Sequence, residues 1–401
     1  MEYELIIVGG GLAGATLGMA LAKAGIRVLI LEREVAFKDR VRGEAMCCWG
    51  GAEAHTLGIS DWLKETNGQE VRRLFTQIVG VPEMPGRDLV ETSPRRIGML
   101  TFYHPDMQAV ALTAAEQAGA VVRRGVPVLS VLPGCPAAVC TREDGGECIY
   151  RTRLVVVADG RDSSCRKRAG FSVSCDPERM IMAGMLFEGL RAPEDQIRVA
   201  IHPPLGLFAI AIPLGNGRFR SYAAVYRQGE PVRLSGRRAV SDFVATSIAA
   251  GMPSEWYDGA TAAGPLACFE AADRWVEHPY RDGVALVGDA AATSDPSWGC
   301  GLSLTLRDVR VLRDRLTADT DWDRAAHGYA EEHDRDYGAI HRLTDWMTML
   351  FYDPGPAGAA RRARAFPGLA ENWAARVPDI IGLGPEAASD EAARRRLFGE
   401  D

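Results

Sequence analysis

Six residues near the amino terminus, Gly9-Gly10-Gly11-Leu12-Ala13-Gly14, have the spacing that lets a backbone close on a pyrophosphate. They directly follow an apolar run, Leu5 to Val8, and directly precede a stretch of small and apolar residues that reads as a helix. In that setting Gly9 permits the tight turn, Gly11 admits a phosphate to the helix N-terminus, and Gly14 lets the helix lie close on the strand. Glu32 ends a second apolar run, Val28 to Leu31, where a carboxylate would accept hydrogen bonds from an adenosine ribose. The same negative charge would repel the 2′-phosphate of NADP, so FAD or NAD is the ligand expected at this loop. A glycine-rich turn in a buried sheet is the alternative without chemistry, and the strand, helix and terminal acid together argue against it.

Two later segments also join a buried strand to a turn rich in glycine and acid: "VVVADGRDSSCR", with Asp159 and Gly160, and "GDAAATSDPSWGCG", with Asp289, Pro296, Gly299 and Gly301. The second precedes a stretch with helical apolar spacing, "GLSLTLRDVRVLRDRL", which opens with Gly301 and Leu302.

Positioning these residues requires a βαβ unit at the start of the chain, a helix-to-strand passage through "DMQAVALTAAEQAGAVVRRG", and the strands before Asp159 and Asp289. Between Cys175 and Arg274 the texture changes to strand-like segments joined by Pro/Gly turns, such as "MIMAGMLFEGL", "RVAIHPPLGLFAIAIPL" and "RFRSYAAVYR". Helical segments follow Trp322, broken at "YDPGPAG". The fold class expected is α/β: a Rossmann-like FAD-binding domain from residues 1–70, 98–175 and 275–320, an inserted antiparallel β-sheet substrate domain from 71–97 and 176–274, and a helical C-terminal region from 321–401.

Composition narrows the partners. The 401 residues are 47% hydrophobic and 25% charged, with net charge −7, which disfavours an electrostatic grip on nucleic acid or on an anionic membrane. The N-terminal apolar run carries Glu2 and Glu4 where a signal peptide needs basic residues, and no run approaches the roughly 18 residues of a spanning helix. These features predict a cytoplasmic protein with a small-molecule partner. Nine cysteines form no CxxC pair, and the adjacent Cys47 and Cys48 suit neither a disulfide nor a zinc site, so reduced thiols and no metal are expected.

Taken in order, the N-terminal glycine loop, "VVVADGRDSSCR" and "GDAAATSDPSWGCG" resemble the three motifs of the class A flavoprotein monooxygenases, the family of para-hydroxybenzoate hydroxylase. The resemblance spans nearly the whole nucleotide domain. It implies FAD as cofactor, NAD(P)H as a transient co-substrate, molecular oxygen, and transfer of one oxygen atom through a C4a-hydroperoxyflavin to an aromatic or polyketide-like small molecule. It implies further that Asp159, Gly160 and Arg166 belong to the Asp-Gly motif, that Asp289 meets the ribityl or pyrophosphate region, and that Pro296, Gly299 and Gly301 turn beside the isoalloxazine. The helix that follows would favour the electron-rich edge of reduced flavin.

"DRVRGEAM" resembles the Arg-Gly-Glu segment of the family, making Arg42 a flavin-side cation and Glu44 a residue lining the approach; a surface ion pair is the alternative. Where many relatives carry an arginine, this chain has His104, with Gln108 the next contact in that helix. Leu12, Ala13, Arg33, Val128 and Leu302 complete the expected cofactor contacts. His202, Arg220, Tyr222 and Tyr226 are the polar groups expected at the substrate wall, with Pro296, His202 and Tyr222 named for catalysis. Strand alternation places Arg220 and Tyr222 on one face. Cys47, Cys48 and Cys300 raise covalent flavin attachment, against which buried thiols are the expectation.

Three other functions share parts of this pattern. A flavin-dependent halogenase would carry a Trp-x-Trp-x-Ile-Pro segment, which is absent. A geranylgeranyl-reductase-like saturase and a flavin-sequestering protein both keep the cofactor motifs. Substrate, nicotinamide preference and oligomeric state are not encoded in any motif.

Overall fold

The computed structural model describes all residues except 1, 42, 67, 144, 228–233 and 401, so the expected role of Arg42 lies outside the described residues. The first third of the chain supplies β1 (Leu5–Val8), α1 (Leu12–Lys23), β2 (Val28–Glu32), α2 (Cys48–Thr56), β3 (Arg73–Ile78) and α3 (His104–Gln117). Then come β4 (Val121–Arg124), β5 (Leu154–Val157), β6 (Met180–Glu188), β7 (Gln196–His202), β8 (Leu207–Pro213) and β9 (Arg218–Tyr226). The last third gives β10 (Val284–Leu286), α4 (Gly301–Ala318), α5 (Trp322–Phe351) and α6 (Pro356–Glu371).

A six-stranded sheet runs Tyr280–Arg281, β10, β5, β1, β2, β4, and all its pairs are parallel except the first. β1, "LIIV", is buried throughout because both faces are covered. Leu5 and Ile7 join one apolar cluster with α1, α3 and α4, while Ile6 and Val8 join another beneath the sheet. Each such side chain contributes roughly 1.5–3 kcal/mol by leaving water. The three motif turns follow β1, β5 and β10, which lie side by side, so parallel pairing delivers all three to one sheet edge.

The inserted region forms an eight-stranded sheet containing the path β6, β9, β8, β7, β3. β3 pairs with β7 in parallel, whereas β6, β9, β8 and β7 are antiparallel neighbours. Alternation divides its faces: Phe208, Ile210 and Ile212 face a cavity, while Ala209 and Ala211 join a cluster that includes the helix Val240–Ala250. That helix lies in a region whose sequence predicts strands. The helical C-terminal region packs over the cavity through α5 and the segment after α6. No described helix is long and apolar enough to cross a membrane.

Candidate functional site

β1 ends at Gly9, whose φ of 104° and close approach to the next strand exclude a side chain: a Cβ there would lie 2.4 Å from Ala158 O. A Cβ at Gly14 would lie 2.0 Å from Gly9 O, so only glycine lets α1 settle against the turn. Gly11 is the N-cap of α1 with no side-chain cap and no acid in the first turn; among the described residues beyond its chain neighbours, a Cβ there would come within 4 Å of Gln108 Nε2 alone, at 3.6 Å. The positive end of α1 therefore faces the cavity and favours an anion there. Glu32 holds the loop in shape: its carboxylate accepts from Gly10 N at 2.7 Å and from Glu34 N at 2.8 Å. Each carboxylate oxygen retains a further acceptor site for a ligand hydroxyl.

This cradle is one end of a cavity of 1280 Å³, larger than the roughly 300–1,000 Å³ of a site for one small molecule. Gly9, Gly11, Leu12, Ala13, Glu32 and Arg33 line it from the first βαβ unit, Gln108 from α3, Val128 from the strand Val128–Leu132, and Asp159 from the turn after β5. Asp289, Pro296, Gly299, Gly301 and Leu302 line it from the segment between β10 and the first turn of α4. Gly14 stands behind the lining, where its part is packing. Asp159 Oδ1 and Ser294 Oγ are buried without a hydrogen-bond partner among the described residues, and both residues line this cavity. Buried polar atoms left unpaired are costly, so this wall is built for a polar ligand. α4 likewise starts without a side-chain cap, one residue after Cys300. Together the uncapped helix starts, orphaned acceptors and close-approach glycines fit a flavin dinucleotide.

Arg166 serves the same wall from behind. It is buried and donates to Ala290 O at 3.0 Å and Arg161 O at 3.2 Å, tying the second motif to the third. His104 lines the cavity and its Nδ1 sits 3.0 Å from Gly43 O.

At the junction with the inserted sheet, a buried polar cluster brings together residues far apart in sequence. Arg220, fully buried, bonds Glu44 Oε1 through Nε at 2.9 Å and both oxygens of Asp39 through Nη2 at 2.9 Å. Tyr222 donates its hydroxyl to Glu44 Oε2 at 2.8 Å. Alternation along β9 puts Arg220 and Tyr222 on one face, as the sequence predicts. Burial pushes the Glu44 carboxyl up to about 7, with the Arg220 guanidinium pulling the other way. Glu44 and Tyr222 line the cavity; Arg220 does not and braces them from within.

Beyond this cluster the cavity becomes mostly apolar, Thr76 and the Arg87–Asp379 pair being polar exceptions. Leu74 and Ile78 of β3, Ile197, Val199 and Ile201 of β7, and Phe208, Ile210 and Ile212 of β8 form its floor. Met347 and Phe351 of α5, Tyr352 just past its end, and a C-terminal stretch from Trp373 to Ile381 form its roof. His202 is not part of this wall. Ile201 faces the cavity, so the next residue on β7 points away, and His202 Nδ1 accepts from Leu205 N at 3.3 Å to cap a short turn. Tyr226 also stands outside the lining, at the end of β9. The roof and the Arg87–Asp379 pair beneath it carry no motif, and sequence reading missed them.

The fold and the site define an FAD-binding α/β enzyme with an apolar chamber beside its cofactor cradle. A family model described as an FAD binding domain matches residues 2–326, and the chain belongs to that family; it is an FAD-dependent enzyme of the class A flavoprotein monooxygenase type. The chain is 28% identical over 332 residues to digeranylgeranylglycerophospholipid reductase 2 of Methanopyrus kandleri, a match covering 78% of this chain and 76% of that protein. It is 25% identical over 388 residues to rifampicin monooxygenase of Streptomyces venezuelae, covering 90% and 74% respectively. Its fold is similar to that of p-nitrophenol 4-monooxygenase from Pseudomonas putida, with a TM-score of 0.77, 18% identity, and coverage of 93% of this chain and 95% of that one.

Proposed function

We propose that the protein hydroxylates or epoxidises an aromatic or polyketide-like small molecule, using NAD(P)H as reductant and molecular oxygen as the source of the inserted atom. The observation that carries this reading is the cavity in which a dinucleotide cradle opens directly onto an apolar chamber. Gly9, Gly11, Leu12, Ala13, Glu32, Arg33, Gln108 and Val128 would hold the adenosine and pyrophosphate, and Asp159, Asp289, Gly299, Gly301 and Leu302 the flavin side. When bound, FAD supplies the two-electron transfer from nicotinamide and the activation of oxygen.

The protein's own contribution is placement, exclusion of water and proton handling. The largely aliphatic floor and the apolar and aromatic residues of the roof would desolvate the substrate. Glu44 and Tyr222 would sit where substrate meets cofactor, and the buried Glu44 carboxyl, raised to about 7, would take up or release a proton near neutral pH. The uncapped start of α4 favours negative charge in the cavity beside it. Pro296 belongs to the turn shaping that side.

A second reading, reduction of an isoprenoid double bond without oxygen insertion, is favoured by the mostly aliphatic floor and by the likeness to a digeranylgeranylglycerophospholipid reductase. Anaerobic mixing of holoenzyme with NADH or NADPH, followed by oxygen and product mass analysis, separates them. Monooxygenation predicts flavin bleaching by a nicotinamide and a product heavier by one oxygen derived from labelled O2. A product gaining two hydrogens under strict anaerobiosis would establish the saturase reading instead, and absence of reduction by either nicotinamide in the presence of ligand would defeat the proposal.

A further inference from the structure

The turn carrying Pro296, Gly299 and Gly301 presents one large side chain, Trp298, half-buried and lining the cavity. Its position is fixed by a chain of buried polar groups behind it. Trp298 Nε1 donates to Thr348 Oγ1 at 3.0 Å, and Thr348 Oγ1 donates to Asp295 Oδ2 at 3.4 Å. Asp295 Oδ1 accepts from Ser297 N at 2.9 Å and from Ser297 Oγ at 2.6 Å, which closes the turn. Asp295 N in turn donates to Asp273 Oδ2 at 3.0 Å, and Tyr337 donates to Asp273 Oδ1 at 3.2 Å. Tyr337 and Thr348 both belong to α5, so the helix grips the turn at two points about three helical turns apart. The indole also stacks on Tyr352, with centroids 5.0 Å apart and planes at 21°.

An indole held by its edge and by a stacked neighbour cannot swing without leaving its N–H unpaired in a mostly buried setting. A rigid aromatic plane in a cavity wall binds another plane at little conformational cost. Tyr352, Phe351 and Phe208 extend the aromatic surface: Phe208 meets Tyr352 edge-on at 5.7 Å, and Phe351 lies 6.3 Å from Trp298. A flexible aliphatic chain gains nothing from orientation of such a wall, whereas a fused planar ring does.

We propose that Trp298 is a specificity-determining stacking platform that selects planar aromatic substrates over isoprenoid chains, and that Thr348 and Asp295 are positioning residues that preset its plane. The inference rests on reading the apolar chamber as the substrate's, and its test needs neither reductant nor oxygen, so it stands or falls apart from the monooxygenase chemistry.

The experiment is calorimetric titration of oxidised, FAD-loaded enzyme with 2-naphthol and with farnesol, using wild type, Trp298→Phe, Trp298→Leu, Thr348→Val and Thr348→Ser. The flavin-to-protein absorbance ratio controls for folding. Trp298→Leu is expected to weaken 2-naphthol roughly tenfold while leaving farnesol within about threefold, and Trp298→Phe to keep most of the naphthol affinity. Thr348→Val is expected to weaken 2-naphthol about threefold, and Thr348→Ser, which restores the hydroxyl, to recover it. Equal losses for both probes in Trp298→Leu, or wild-type naphthol binding in Thr348→Val, would overturn the proposal. So would tighter binding of farnesol than of 2-naphthol to wild type, and binding of neither would defeat the chamber reading with it. If Trp298→Leu loses flavin, the Thr348 pair and Trp298→Phe decide the matter.

Discussion

At the scale of single residues, two positions make opposite demands. Gly14 tolerates nothing larger, because a methyl group would meet Gly9 O at 2.0 Å and push α1 off the turn proposed to hold the pyrophosphate. Gly14→Ala is therefore expected to purify with less than about a tenth of the wild-type FAD, read from visible absorbance, while the sheet below still folds; full flavin content would refute the packing argument. Glu44 instead tolerates its site at a cost that depends on pH. Burial raises its carboxyl to about 7 in the folded protein, above the 4.5 of an exposed glutamate. A group with a raised folded pKa contributes stability that is complete below its unfolded value and is lost as pH rises through the folded one. Each tenfold change in a proton-binding equilibrium is worth about 1.4 kcal/mol, so ionising Glu44 removes on the order of 3 kcal/mol as pH rises from roughly 4.5 to 7.5. Glu44→Gln carries no titrating proton, so its denaturation midpoint should change less across that window than wild type. Parallel pH profiles for the two proteins would show that the carboxyl does not change ionisation there.

At the scale of elements, charged side chains tie helices together. Arg307 on α4 reaches Glu53 of α2 at 2.5 Å, Asp336 of α5 at 3.3 Å and Glu386 near the C-terminus at 2.7 Å, and Arg310 also meets Glu53 at 2.5 Å. Glu53 and Asp336 are both buried, so Arg307→Met leaves two carboxylates under-compensated. Such truncations cost roughly 3–5 kcal/mol, and urea denaturation should show a loss in that range. A loss below about 1 kcal/mol would mean that Arg310 alone neutralises Glu53. The elements themselves were largely legible: strand-like apolar runs between Pro/Gly turns mark β6 to β9, and helical spacing marks α4 and α5. The helix Val240–Ala250 was not, because "VSDFVATSIAA" is rich in β-branched and hydroxyl residues of modest helix propensity, and packing against the alanines of the sheet decides its form. Glu44 and Arg220 could each be singled out, but a pairing across 176 residues leaves no local signal. His202 misled for a related reason: its type suggests chemistry, whereas strand phase, fixed only by the sheet, turns it away.

At the scale of the whole molecule, the three motif turns converge because their strands are parallel neighbours, and that convergence was readable from their order. The roof of the chamber was not, since Asp379 within it lies 292 residues beyond its partner Arg87. Arg87 donates to both oxygens of Asp379 at 2.7 Å and to Thr92 Oγ1 at 2.8 Å through Nε. Asp379 also accepts from Gly382 N at 2.9 Å, and Trp49 Nε1 and Cys48 N donate to Ile380 O and Ile381 O at 3.0 and 3.1 Å. The ion pair is partly solvent-exposed, so its loss should disturb the roof locally more than the global fold. Asp379→Ala removes the bidentate partner and the acceptor for Gly382 together, while the two bonds from the α2 region keep the segment tethered. Amide hydrogen exchange of the 378–384 stretch should accelerate about tenfold or more, at a thermal midpoint close to wild type, and 2-naphthol should enter the holoenzyme faster in stopped flow. Unchanged exchange there would mean that the tethers from Trp49 and Cys48 alone hold the roof. A large fall in midpoint would mean that the C-terminal segment is part of the cooperative core, and that substrate must reach the chamber from the cofactor side.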